Sequence, residues 1–89
     1  MLKNYMEDVV SFYLPLVLKD FNGDVCTCAK CLEDIKAIAL NNLKPHYTST
    51  KNGRVYAKLY ELNMQFQADV IQQLTRAVDK VSKNPRHFL

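Results

Sequence analysis

The sequence predicts a small all-α domain of three helices, with a long C-terminal helix and a short extended segment. Two observations carry this prediction. Apolar residues recur at the three- and four-residue spacing of a helix face along most of the chain, which contains only 2 Gly and 3 Pro in 89 residues. Hydrophobic residues make up 48% of the sequence, which is too many for a disordered protein. The chain is therefore expected to fold as a single domain over residues 1–89.

The first helix is predicted from Leu2, because apolar residues follow one face as far as Val17. Pro15 lacks a backbone N–H, so we expect a kink there and a helix that continues to about Leu18. The next residues, FNGDV, group residue types that favour turns, and they predict a loop.

The second helix is predicted to begin near Thr27 or Cys28 and to stop before Pro45, since the residue before a proline avoids helical angles. The segment that follows, PHYTSTKNG, contains the β-favouring residues Tyr47 and Thr48. It predicts a short strand or an irregular loop between the second and third helices.

The third helix is predicted to run without interruption from Arg54 to Ser82, a span that contains neither Pro nor Gly. It would be roughly 40 Å long, which is longer than a domain of this size is wide. It carries two apolar stripes, the first at Val55, Leu59, Leu62, Phe66, Val70, Leu74, Ala77 and Val81 and the second at Tyr56, Tyr60, Met64, Ile71 and Val78. A helix that is apolar on two sides needs a partner surface, which predicts a homodimer. Alternatively, the first two helices cover both stripes within one chain.

Charge and motifs limit the classes of function. A net charge of +3 without a basic recognition helix is a weak electrostatic footprint, so direct DNA binding is not expected. The N-terminus resembles neither a signal peptide nor a membrane span, which predicts a cytoplasmic protein. No Gly-rich phosphate loop, H-E-x-x-H motif or Ser/His/Asp arrangement is visible, and we expect no enzymatic activity. The adjacent acids Glu7–Asp8 and Glu33–Asp34 are interpreted as solvated residues of helix faces.

The three cysteines of the chain, Cys26, Cys28 and Cys31, lie within six residues. The spacing places Cys28 and Cys31 one turn apart at the start of the second helix and Cys26 on the preceding loop. Three thiolates at a helix N-terminus can converge on zinc, which predicts a metal site. Two alternatives remain: the C-A-K-C sequence is also a redox arrangement, and cysteines can act as small buried apolar residues.

Zinc prefers four ligands, and the fourth is open between His46, His87, a carboxylate such as Asp24, water and a residue of another subunit. His46 follows the far end of the second helix, roughly 20 Å from the cysteines. His87 follows the third helix and returns to the cysteine end if that helix packs antiparallel to the second. We therefore predict a zinc site of Cys26, Cys28, Cys31 and His87.

Three stretches of the chain, taken in order, resemble one family. They are NYME at residues 4–7, CTCAKCLEDI at 26–35 and ALNNLKPHY at 39–47, and together they are similar to the late competence development protein ComFB family. The resemblance implies a small all-α bacterial homodimer, encoded in some bacteria with genes for DNA uptake, and zinc at the cysteine cluster. Some members complete the site with a C-terminal cysteine, where this chain instead offers His87.

Other members of that family are described as receptors for cyclic dinucleotides such as cyclic di-GMP, linked to motility, pili and competence. Such a ligand needs cations for its phosphates and flat groups for its purines. The candidate residues surround the turn before the third helix and are Tyr47, Lys51, Arg54, Tyr56 and Lys58. The alternative interpretation is that they form a solvated loop whose tyrosines pack in the core. The expected function is a cyclic-dinucleotide receptor that acts on an unidentified protein partner. The alternative is a zinc-stabilised structural or interaction protein of the DNA-uptake machinery without a nucleotide ligand.

Overall fold

The computed structural model describes residues 2–49 and 63–84 of the chain. These residues form three helices and a two-stranded sheet, in the order β1 (Lys3–Asn4), α1 (Met6–Asp20), α2 (Ala29–Asn41), β2 (Tyr47–Thr48) and α3 (Met64–Lys83). β1 and β2 pair antiparallel, with Lys3 opposite Thr48 and Asn4 opposite Tyr47. For the described residues, the prediction of a mainly helical fold with a short extended segment is confirmed.

α1 begins four residues later than its apolar periodicity predicts, at Met6 rather than at Leu2. The reason is a contact from a distant part of the chain. The Asn4 side-chain oxygen accepts hydrogen bonds from the backbone N–H groups of Met6 at 3.1 Å and His46 at 2.9 Å. The Tyr5 N–H also donates to the His46 carbonyl at 2.7 Å. These bonds hold the first residues in the sheet, where they cannot join the helix.

Pro15 lies inside α1, which continues to Asp20, two residues beyond the predicted end. Pro15 has no N–H to donate to the carbonyl of Ser11. Both residues are exposed to water, which can bond that carbonyl instead, so the helix continues through the proline. The opposite face packs into the core through Met6, Val9, Val10, Leu14 and Val17.

α3 begins at Met64, and the prediction of one continuous helix from Arg54 is wrong. Asn63 has extended backbone angles, φ −72° and ψ 124°, and its side chain accepts hydrogen bonds from the N–H groups of Gln65 at 2.9 Å and Phe66 at 3.2 Å. Asparagine is among the strongest N-cap residues, so α3 starts here although the sequence from Arg54 to Leu62 contains no Pro or Gly. The helix is therefore about 30 Å long.

Only part of the second predicted stripe is covered. Val78 is fully buried, but Ile71 is 42% exposed and Met64 is 83% exposed. The first stripe lies in the core, where α3 contributes Val70, Leu74, Ala77 and Val81 opposite the α2 residues Cys31, Ile35 and Ala39. The stripe residues before Asn63 lie outside the described residues.

α2 and α3 form the most extensive helix contact of the fold and run antiparallel. The direction follows from a cavity of about 470 Å³, which is lined by residues 42–46 after α2 and by Phe66, Asp69 and Gln73 from the first half of α3. The start of α3 thus lies beside the end of α2. α2 has 13 residues, about 20 Å at 1.5 Å per residue, and the same length along α3 from Asp69 reaches Ser82. The end of α3 therefore lies at about the level of the first residues of α2.

Candidate metal centre

The cysteine cluster is built from a loop and the helix that follows it. Gly23 has φ +147°, a region that L side chains rarely adopt, and an added Cβ would approach the Phe21 ring to 3.2 Å. The glycine therefore allows the loop after α1 to turn back and bring Cys26 to the start of α2. Cys28 is the N-cap residue of α2, and Cys31 lies in its first turn.

The three sulfur atoms lie within 4.8 Å of one another. A tetrahedral zinc ion with Zn–S distances of about 2.3 Å places its sulfur ligands about 3.8 Å apart, so the cluster fits zinc with small adjustments of side-chain rotamers. All three are free thiols. Cys31 is fully buried, Cys26 half-buried and Cys28 exposed, which leaves the centre open to solvent on the Cys28 side.

The thiols of Cys28 and Cys31 differ in acidity. The backbone N–H of Cys31 donates to the Cys28 sulfur at 3.5 Å, and this bond, assisted by the Cys26 thiol, lowers the pKa of Cys28 to about 7. Burial, followed by the Cys28 and Cys26 thiols, raises the pKa of Cys31 to about 11. At neutral pH a substantial fraction of the exposed Cys28 is therefore thiolate, whereas the buried Cys31 thiol is protonated.

The structure bears on the alternatives for the cysteines. The segment before Cys28 is a loop, whereas a redox C-x-x-C usually follows a strand. Burial as an apolar residue suits Cys31, as predicted, but not the exposed Cys28. Of the three interpretations of the cysteines, a cluster that could hold a metal ion is the one that accounts for all three sulfurs.

Among the described residues, no fourth ligand group lies beside the three sulfurs. Within residues 2–49 and 63–84, no histidine or carboxylate joins the three sulfurs, and this includes Asp24. His46 lines the cavity at the opposite end of α2, as the sequence predicted. His87 lies outside the described residues, but the antiparallel packing on which its prediction depends is present.

One residue near the cysteines differs from its interpretation in the sequence. Asp34 was interpreted as part of a solvated helix face, yet its side chain is only 18% exposed. Lys30 Nζ donates to its Oδ1 at 2.7 Å, while Oδ2 is buried without a hydrogen-bond partner among the described residues. The available signal was its spacing, because Asp34 follows the buried Cys31 by three residues and precedes the half-buried Ile38 by four.

The predicted nucleotide-binding residues are mostly beyond what the structure describes. Tyr47 lies in β2 with its side chain 60% exposed. Lys51, Arg54, Tyr56 and Lys58 lie outside the described residues, so their proximity to Tyr47 stays a prediction. Among the described helices, none is both long and apolar enough to cross a membrane.

The fold and the site together define a small helical protein with a three-thiol cluster that could hold a metal ion. The family model for the late competence development protein ComFB matches residues 3–85. The chain belongs to the ComFB family. A solved structure, described as a structural characterization of the late competence protein ComFB from Bacillus subtilis, matches with a TM-score of 0.84 and 26% sequence identity, covering 99% of this chain and 98% of that chain. A search of curated protein sequences finds no match.

Proposed function

We propose that this chain is a non-enzymatic, zinc-binding regulatory protein of the ComFB type that acts in the bacterial cytoplasm. The observation that supports it best is the convergence of three free thiols within 4.8 Å at the start of α2. Thiolate ligands favour zinc over magnesium, calcium or manganese, and a tetrahedral set is the usual arrangement of a structural zinc site. The metal would tie the loop after α1 to α2.

His87 is proposed as the fourth ligand because of the chain path. The end of α3 lies at about the level of the cysteines, and His87 follows Asn84 by three residues. Three extended residues span up to about 10 Å, which is comparable with the separation of about 8–10 Å between the axes of packed helices. Imidazole is an ordinary zinc ligand and would occupy the position that a C-terminal cysteine fills in other members of the family.

The test is a comparison of two histidine variants. Purified protein is expected to carry about one zinc per chain by elemental analysis. His87→Ala should weaken zinc binding markedly in competition with a chromogenic chelator, whereas His46→Ala, at the other end of α2, should match the wild type. Equal affinity in both variants, or a larger loss in His46→Ala, would contradict the assignment of His87. Protein free of zinc, with all three thiols open to titration, would contradict the zinc proposal itself.

The regulatory signal proposed for this protein is a cyclic dinucleotide. Family membership and the exposed ring of Tyr47 support it, because an exposed aromatic ring can stack on a purine. Lys51, Arg54, Tyr56 and Lys58 are the proposed partners of its phosphates and second base. Calorimetry with cyclic di-GMP and cyclic di-AMP tests the proposal. Tyr47→Ala should weaken binding, while Tyr47→Phe, which keeps the ring, should bind as the wild type does.

The second candidate function is an interaction protein of the DNA-uptake machinery without a nucleotide ligand. Both candidate functions need a protein contact, and the described residues offer one in an apolar patch, here named the α1/α3 patch, that consists of Phe12, Leu16 and Ile71 with exposures of 66%, 51% and 42%. Leu16 and Ile71 line one cavity of about 450 Å³ between the two helices, and Phe12 lies one turn before Leu16. We propose this patch as the contact between two copies of the chain. Absence of heat with either nucleotide, in a zinc-loaded dimer, would favour this second function.

A further inference from the structure

Asp34 carries a buried carboxylate oxygen to which no described residue donates a hydrogen bond. Its Oδ1 is satisfied by Lys30 Nζ at 2.7 Å, but its Oδ2 is enclosed and receives no hydrogen bond from the described residues. Burying a polar atom without a partner is costly, and native proteins nearly always supply one from protein, ligand or water. We therefore expect that, in the functional protein, a group with an N–H or O–H donates a hydrogen bond to this oxygen.

The position of Asp34 relates it to the metal centre. It lies three residues after Cys31 on α2, and side chains at that spacing are neighbours on the helix surface, with Cβ atoms about 5–6 Å apart. Its carboxylate is not one of the groups that converge with the three sulfurs. Asp34 is therefore a helix-surface neighbour of Cys31 that is not itself among the ligand atoms, in the half of α2 beside which α3 ends.

We infer that Asp34 is the outer-sphere acceptor of this metal centre, and that its Oδ2 receives a hydrogen bond from the fourth ligand. The inference rests on the proposed zinc function. Metal-bound histidine almost always donates its second ring N–H to a carboxylate, carbonyl or water, which fixes the orientation of the ring. A metal-bound water can donate in the same way. A thiolate or a carboxylate has no proton to donate to Oδ2. The acceptor at Asp34 therefore favours a histidine or water as the fourth ligand over a cysteine or Asp24.

The experiment compares Asp34→Asn with Glu33→Gln, a matched loss of one carboxylate charge at the adjacent exposed position. The asparagine has one acceptor oxygen instead of two, and its amide nitrogen cannot accept the hydrogen bond of the ligand. Zinc affinity measured by chelator competition should fall about 10- to 100-fold in Asp34→Asn. Glu33→Gln should equal the wild type.

Two further measurements separate positioning of the ligand from a purely structural role. In chelator, Asp34→Asn should unfold at nearly the same urea concentration as the wild type, because without metal the Oδ2 atom has no bond to lose and the partly exposed ion pair between Lys30 and Oδ1 contributes little. In a His87→Ala background, Asp34→Asn should cause no additional loss of affinity if the imidazole is the donor, and its full loss if water is the donor. Asp34→Ala repeats the affinity comparison if the asparagine variant does not fold.

The outcomes that overturn the inference are distinct from those that overturn the zinc proposal. Zinc binding by the wild type with unchanged affinity in Asp34→Asn would refute the role of Asp34 alone. Equal destabilisation of Asp34→Asn with and without zinc would also refute it, because it would mean that an ordinary buried water or packing contact serves Oδ2. A wild-type protein that binds no zinc would refute both.

Discussion

Serine substitutions at Cys28 and Cys31 should differ in their effect on metal-free protein, and both should remove most of the stability that zinc adds. Cys28 is exposed, and its sulfur accepts the Cys31 N–H as the N-cap of α2. Serine is among the preferred N-cap residues and can accept the same bond. In chelator, Cys28→Ser should therefore unfold at the same urea concentration as the wild type.

Cys31 is fully buried among Ile35, Ala39 and the apolar residues of α3. Replacing its sulfur with a hydroxyl places a polar group in an apolar environment, which costs on the order of 1–3 kcal/mol in proteins. Cys31→Ser should therefore lower the free energy of unfolding even in chelator. A ligand present at about 100 times its Kd adds about 2.7 kcal/mol to stability, and each serine variant should lose most of this metal-dependent increment.

The assay is urea unfolding at a buffered free zinc concentration and again in chelator, with wild type, both serine variants and Thr27→Ser as a control. Thr27 is exposed between two of the cysteines and has no atom in the cluster, so its variant should follow the wild type in both conditions. A wild-type stability that does not respond to zinc would refute the reasoning. So would a Cys28→Ser variant that is destabilised relative to the wild type by as much in chelator as in zinc, because the exposed sulfur would then stabilise the fold without metal.

Two other predictions follow from the described residues. In metal-free protein near pH 8, iodoacetamide should modify Cys28 first and Cys31 last, because the pKa of Cys28 is lowered to about 7 and that of the buried Cys31 is raised to about 11. Peptide mass spectrometry gives the order of modification. Rapid modification of Cys31 would contradict the prediction. Phe12→Ser should convert the proposed dimer to a monomer in light scattering, while Leu2→Ser, which removes an equally exposed apolar side chain outside the α1/α3 patch, should not. A Phe12→Ser protein that keeps the mass of two chains would place the dimer contact elsewhere.

The cysteine cluster was predictable because it is local. All three sulfurs come from one six-residue stretch, and the turn residues before it together with the start of a helix suffice to bring them together. The cores of α1 and α2 were predictable for a similar reason, since the buried residues Val9, Ile35 and Ala39 follow the helix period. The start of α3 was also local, but its signal, an asparagine N-cap, was masked by an apolar pattern that continues across it.

The other features of the fold and of the site depend on contacts between residues that are far apart in the sequence. Asn4 ends the first strand because it bonds His46, 42 residues away. The antiparallel packing of α2 and α3 decides which histidine can approach the cysteines, and that choice cannot be made from spacing alone. Asp34 has the composition of a surface residue, and only the packing of the helices encloses its Oδ2. The sequence by itself therefore determined the elements and the three thiols, because both depend on neighbours a few residues apart, whereas burial and the surroundings of the thiols depend on how separate helices meet.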